Sequence, residues 1–481
     1  MHSARRIDRY LYALLVCVSF AHLFPFPGEA DSRNDIDAVL IMDSTGSMKE
    51  TDPLTLRIPA AKLFISLLRD DDRVGVVSFS ETARTLATLT RTATASGQKR
   101  LFKAVDVVNS RGQYTNIYEG IKKGFEVLES SPDRERMLIL MSDGQMDLGD
   151  KGREEALLSD MKNLLLPEIR NAGVKIHTIA FSDYSDQKLL EEIATKTGGF
   201  YRLAKSDQDL HLAFSSIFEK IKSPDMLPMK GDSFSVDRDI QELILLITKK
   251  TPETAIIISD PHAKQYSAQK HMPDIQWFRS TVFDMITVKQ PVSGAWNVKF
   301  SSGEGNKVFI LTDLKLLSSF NRDVVTQGST VKIDAWLEKD KALLRTKDVL
   351  EHIKLSAQIK PPDGTIVTLP LSGDGANNDT AARDGVYSGQ VRVEQVGEYS
   401  IQLIAEGETF KRAKTYICKV VAPDKPAAVN TPVQRKEKEE EGLRWSPVLV
   451  RFGWVNIFAV TLVATAFLVR KLLKRLRGSQ R

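Results

Sequence analysis

The segment Asp37-Ala38-Val39-Leu40-Ile41-Met42-Asp43-Ser44-Thr45-Gly46-Ser47-Met48 decides the fold. Its first half is a continuous apolar run, which suits a strand buried on both faces of a parallel sheet. Its second half is rich in Asp, Ser, Thr and Gly, which end strands and open helices. Working outward, further apolar runs stand at Val74 to Phe79, Met137 to Met141 and Val174 to Phe181. Helical periods lie between them: Ile117, Ile121, Phe125 and Leu128 fall on one helix face. This alternation predicts a doubly wound α/β domain over residues 35–222.

Two more polar segments stand in the same relation to their elements. Gln113-Tyr114-Thr115-Asn116 precedes the helix just counted, and Ser142-Asp143-Gly144 closes the Met137 to Met141 strand. Ligands of open parallel sheets bind at the carboxyl ends of strands, where Asp43 and Asp143 both fall. If those strands are neighbours, two carboxylates and the hydroxyls of Thr45, Ser47 and Thr115 converge. Such oxygens suit a hard divalent cation, Mg²⁺ or Mn²⁺. With only two formal negative charges the ion stays electron-poor, and a partner's carboxylate can fill an open position. The competing reading is structural, because Asp, Ser and Thr after a strand are also good turn formers and helix N-caps.

Together these segments resemble the metal-ion-dependent adhesion site of von Willebrand factor A-type domains, an Asp-x-Ser-x-Ser motif followed by a distant Thr and an Asp before Gly. The resemblance covers about 190 residues, with Thr45 in place of the first Ser. It implies that Thr45, Ser47 and Thr115 ligate metal directly, and that Asp43 and Asp143 do so directly or through water.

Beyond Ser223-Pro224 the helical period stops. Residues 231–318 and 325–421 read as two all-β, Ig-like sandwiches, the second with Val331, Ile333, Ala335 and Leu337 on one strand face. The loop Asp374-Gly375-Ala376-Asn377-Asn378-Asp379, running on to Asp384-Gly385, offers oxygens for Ca²⁺. Its spacing is not that of an EF-hand, and the same residues build hairpin turns. Pro291-x-x-Gly294-x-Trp296 together with this loop resembles the β region after the A-type domain in hemicentins and calcium-activated chloride-channel regulators.

The ends carry targeting signals. Arg5, Arg6 and Arg9, an apolar stretch from Leu11 to Phe24 and the small-x-small site before Asp31 read as a signal peptide over 1–30. A proline-bearing, charged linker spans 422–446. Residues 452–469 lack charge and are long enough for about 27 Å of membrane helix. The basic tail 470–481 then fixes a cytoplasmic end, giving a single-pass, type I topology. After leader removal only Cys418 remains, so no intrachain disulfide can form. That favours a bacterial inner-membrane protein with its domains in the periplasm. The basic excess sits at the two ends, so no nucleic-acid surface is expected.

Catalysis is not expected either. The histidines form no His-Glu-x-x-His motif, so the protease module of the channel-regulator family is absent from this sequence. The leading expectation is a metal-dependent membrane receptor for a protein ligand with an acidic side chain. The alternative is a cell-envelope assembly or stress factor of the bacterial membrane-bound A-domain type.

Overall fold

The computed structural model describes residues 35–423 except 69–70, 129–133, 144, 182, 184, 205–208, 346–349, 351, 376–378 and 380. The leader, the linker beyond Pro423, the expected membrane helix 452–469 and the tail lie outside the described residues. Among the described residues no helix is long and apolar enough to cross a membrane.

The first part runs β1 (Ile36–Asp43), α1 (Met48–Thr51), α2 (Arg57–Leu67), β2 (Arg73–Phe79), β3 (Ala83–Arg91), α3 (Ala95–Asp106) and α4 (Ile117–Val127). It continues with β4 (Glu135–Ser142), α5 (Lys151–Asp160), a π-helical turn (Met161–Leu165), α6 (Leu166–Asn171), β5 (Val174–Phe181), α7 (Gln187–Thr197), β6 (Tyr201–Ala204) and α8 (Leu210–Lys222). The π turn stands just before Pro167, whose missing N–H removes one ordinary helical bond.

The sheet order is β3-β2-β1-β4-β5-β6. Neighbours from β2 to β6 are parallel, and β3 is an antiparallel edge. β1 leads to β2 on one side and the chain later crosses to β4 on the other. The order therefore reverses at β1 and opens a crevice at the carboxyl ends of β1 and β4. All eight residues of β1 are buried, as its unbroken apolar run requires. Ile117, Ile121 and Leu128 are buried and Phe125 packs beside them, confirming the α4 face.

The β region comprises β7 (Met226–Leu227), β8 (Ser233–Val236), β9 (Ile240–Thr248), β10 (Ile257–Ser259), β11 (Gln265–Ser267), β12 (Ile275–Arg279), β13 (Phe283–Lys289), β14 (Gly294–Lys299) and β15 (Lys307–Thr312). There follow β16 (Leu314–Ser318), β17 (Val324–Thr326), β18 (Thr330–Lys339), β19 (Ala342–Leu343), β20 (Lys354–Lys360), β21 (Val367–Leu371), β22 (Val386–Arg392), β23 (Gly397–Glu406) and β24 (Lys411–Val421). One core gathers around Trp296, Leu243 and Ile286, a second around Ile333, Ala357 and Leu403. The expected strand face of Val331, Ile333, Ala335 and Leu337 is buried throughout.

Two features depart from the sequence reading. β16 pairs with β18, so Leu314–Ser318 belongs to the second sandwich rather than closing the first. The two sandwiches also share one ten-stranded sheet, ordered β12-β13-β9-β15-β7-β24-β23-β20-β21 with β17 beside β24. Met226 in β7 makes the join, facing Phe309 on one side and Ala413 on the other. The α/β domain packs directly on this sheet. Phe64 of α2 and Phe214, Ile217 and Phe218 of α8 share a core with Ile244, Phe283, Phe309 and Ala413 of this sheet.

Candidate metal centre

β1 delivers Asp43 to the floor of the crevice, fully buried. Asp43 Oδ1 accepts the Thr45 amide at 2.9 Å, which turns the chain sharply out of the strand. Its Oδ2 accepts the Ser142 hydroxyl at 2.6 Å, tying the ends of β1 and β4 together. Above this floor Thr45 Oγ1 lies 3.0 Å from Ser47 Oγ, and Ser47 Oγ donates to Asp143 Oδ1 at 3.1 Å. Thr45 and Asp143 are buried, whereas Ser47 is open to solvent.

Thr115 arrives through its backbone. Gly112 N donates to Ser44 O at 2.9 Å, and Gly112 O accepts from Gly46 N at 2.7 Å, which lays the loop across the first segment. Thr115 then exchanges both backbone bonds with Asp147, at 2.7 and 3.0 Å. The contact is tight: a Cβ on Gly112 would come within 2.2 Å of Ser80 Cβ. Four of the five expected residues are thus linked by hydrogen bonds to one another, and Thr115 is held by its main-chain bonds to Asp147.

Sequence reasoning missed three partners. Thr51 Oγ1 donates to Asp143 Oδ2 at 2.6 Å, four residues after Ser47 and so on the same face of α1. Ser142 was read only as a strand end, although a hydroxyl beside a motif Asp is a reasonable candidate for orienting it. Glu81 has no local signature. Its Oε1 takes the amides of Gln113 at 2.5 Å and Tyr114 at 3.2 Å, fixing the approach to Thr115. The Ser80 hydroxyl and these amides hold the Glu81 carboxyl down at about 2.

Electrostatics point the same way. Burial, and then the Asp143 carboxylate, push Asp43 up to about 6, opposed by bonds from Ser142 and Thr45. None of the largest contributions to that balance comes from a cationic side chain. A buried acid facing a second acid without a base is a place where a cation relieves both desolvation and repulsion. The spacing also fits. Adjacent ligands of an octahedron with bonds of about 2.1 Å lie about 3 Å apart, close to both hydroxyl spacings.

The Asp374–Asp384 loop is arranged differently. Asp379 Oδ2 accepts the Gly375 amide at 2.6 Å, and Asp384 Oδ1 the Val386 amide at 2.8 Å. Asp374 Oδ1 accepts the Ser372 hydroxyl at 2.5 Å. These are turn-closing bonds, and among the described residues no group of three or more His, Cys, Asp or Glu side chains forms a metal cluster. His177 is packed in β5, where burial drives its imidazole down to about 3. Burial likewise pushes the Cys418 thiol up to about 11.

Comparison with known proteins agrees with this architecture. Residues 37–218 match the von Willebrand factor type A domain, and 314–416 the second Ig-like domain of conditioned medium factor. Calcium-activated chloride channel regulator 1 of Equus caballus is 25% identical over 398 residues, covering 76% of this chain and 41% of its own. Regulator 2 of Homo sapiens is 23% identical over 414 residues, covering 77% and 41%. The chain therefore spans about two fifths of the length of these relatives. Among solved structures, the von Willebrand factor type A protein of Catenulispora acidiphila is 15% identical, covering 65% of this chain and 64% of its own at a TM-score of 0.33. The chain carries a von Willebrand factor A domain followed by an Ig-like domain, and is similar to the calcium-activated chloride channel regulators.

Proposed function

We propose that the protein is a non-enzymatic receptor whose A domain binds a protein ligand through a metal ion. Asp43, Thr45, Ser47, Thr115 and Asp143 would hold Mg²⁺ or Mn²⁺, and the ion would offer a coordination position to an acidic side chain. The observation that carries this reading is the layering: two buried acids, one fully enclosed, lie under an exposed hydroxyl, with oxygens spaced about 3 Å apart. Thr45, Ser47 and Asp143 keep the set pre-organised, and Ser142 orients Asp43 from beneath. The leader would direct export and the 452–469 segment would anchor the chain, with residues 31 to about 450 outside the cytoplasm.

Calorimetric titration of the full chain with Mg²⁺ tests the site. Binding should be measurable in the native chain and lost in Asp43→Ala, while the thermal transition persists. Recovery of crosslinked partner proteins from native membranes should fall with EDTA and with the same variant. Equal recovery in all samples would refute metal-dependent binding.

A further inference from the structure

Arg57 is the first residue of α2, and its side chain is wholly buried. Its Nη1 donates to Asp52 Oδ2 at 2.6 Å, and Asp52 is itself only 2% exposed. Its Nη2 donates to Asn109 O at 3.0 Å and to Ser110 Oγ at 2.7 Å. Both ends of this fork are tied to the candidate metal centre. Asp52 follows Thr51, the residue whose hydroxyl holds Asp143, and the Asp52 amide closes α1 on Met48 O at 3.0 Å. Ser110 stands two residues before Gly112, whose carbonyl takes the Gly46 amide. A closed circuit results: from Gly46 along α1 to Asp52, across the ion pair to Arg57, over to Ser110, and through Gly112 back to Gly46.

We infer that Arg57 is a positioning residue for the metal centre, fixing the α1 segment and the Thr115 loop in one relative placement. This rests on the reading of the site given above. Stability alone does not call for an arginine here. Removing a guanidinium and a carboxylate from water costs about as much as their attraction returns, and apolar side chains of similar volume often do as well. The Arg57 Nε is moreover buried without a partner, which adds to the cost. What an apolar side chain could not do is reach two chain segments at once with directed bonds. The fork of Arg does this, and the single ammonium of Lys does not reproduce it.

Two variants of the full chain test the inference. Arg57→Lys keeps a charge beside Asp52 and removes the fork. Ser110→Ala leaves the Arg57–Asp52 pair and the bond to Asn109 O intact and removes one of the two Nη2 bonds, so it stands if Arg57→Lys fails to fold. Two quantities are measured: amide hydrogen exchange in EDTA and the Mg²⁺ dissociation constant. The amides of Gly46, Arg111 and Gly112 should exchange about fivefold faster in Ser110→Ala and more in Arg57→Lys, with β4 and β5 unchanged. Mg²⁺ affinity should fall about tenfold or more in Arg57→Lys. A lowered melting temperature with loop exchange and Mg²⁺ affinity both unchanged would make Arg57 a stability element and overturn the inference. Faster loop exchange in a chain whose native form binds no Mg²⁺ would uphold the positioning of the loop and refute the metal reading instead. Unchanged loop exchange with a native chain that does bind Mg²⁺ would overturn the inference and leave the metal reading intact.

Discussion

Gly112 shows how narrowly the candidate site is specified at the level of single atoms. A methyl group there would meet Ser80 Cβ at 2.2 Å, and Ser44 O would be 3.3 Å away, so one segment has to retreat. Gly112→Ala is expected to cost about 1–3 kcal/mol, the usual range for overpacking a close contact. It should also weaken Mg²⁺ binding, because the retreating loop carries Thr115. Thermal unfolding and metal titration of the same sample check both effects. Thr51→Val keeps the shape and removes the hydroxyl on Asp143 Oδ2, so it should weaken Mg²⁺ binding by less than Gly112→Ala does, with Thr51→Ser restoring it. The five candidate residues were named in the sequence because each borders a strong apolar period, where polar residues interrupt it. Thr51, Glu81 and Arg57 were not. Their roles depend on which backbone amides and carbonyls lie nearby, and that is set by the crossing from β1 to β4 rather than by any local pattern.

Helix α8 is the element where the α/β domain and the β region meet. His211 is fully buried, its Nε2 lies 3.0 Å from Thr248 Oγ1 on β9, and its ring stacks on Phe283 of β13 at 5.0 Å. Burial first, and then the Lys307 charge, bring its imidazole down to about 4, with Asp209 opposing. The folded state therefore favours the neutral ring. Above the unfolded value of 6.5 both states are neutral and the stabilisation is complete. As pH falls from about 6.5 towards 4 the unfolded chain takes up a proton that the folded chain does not. Stability then drops by about 1.4 kcal/mol per pH unit from this group. His211→Leu should flatten that part of the profile while carboxylate effects below pH 4 remain. Unfolding midpoints in urea between pH 7 and 4 decide it, and equal slopes in the two proteins would show that His211 does not titrate across unfolding. The sequence marked His211 only as one histidine among several. Its partners come from strands 37 and 72 residues away, a separation that no helical period records.

At the scale of the molecule, the decisive fact is that the von Willebrand factor A domain and the two sandwiches are not separate beads. The strands of each sandwich were visible in their alternation, but the ten-stranded sheet was not, because β7 is two residues long and precedes Pro228. Phe218 stands edge-on to Phe309 at 5.4 Å, and charged pairs close the rim: Arg202 Nη2 on Glu398 at 2.8 Å and Lys220 on Asp323 at 2.5 Å. Rim pairs of this kind contribute little each, so the shared apolar core has to hold the parts together. It follows that residues 35–423 should unfold in one cooperative step, with calorimetric and van't Hoff enthalpies in agreement. Phe218→Ala opens a cavity between α8 and β15, and should cost about 3–5 kcal/mol and lower that single transition. The circular-dichroism signals of helix and strand should shift together. If instead the helical signal melted earlier while the strands kept their native midpoint, the two parts would be independent folding units. The metal centre would then ride on a domain free to move, rather than on one held at a fixed attitude to the β region. One cooperative transition, by contrast, means that a load applied at the carboxyl end of β1 reaches the ten-stranded sheet through the core that α2 and α8 share with it.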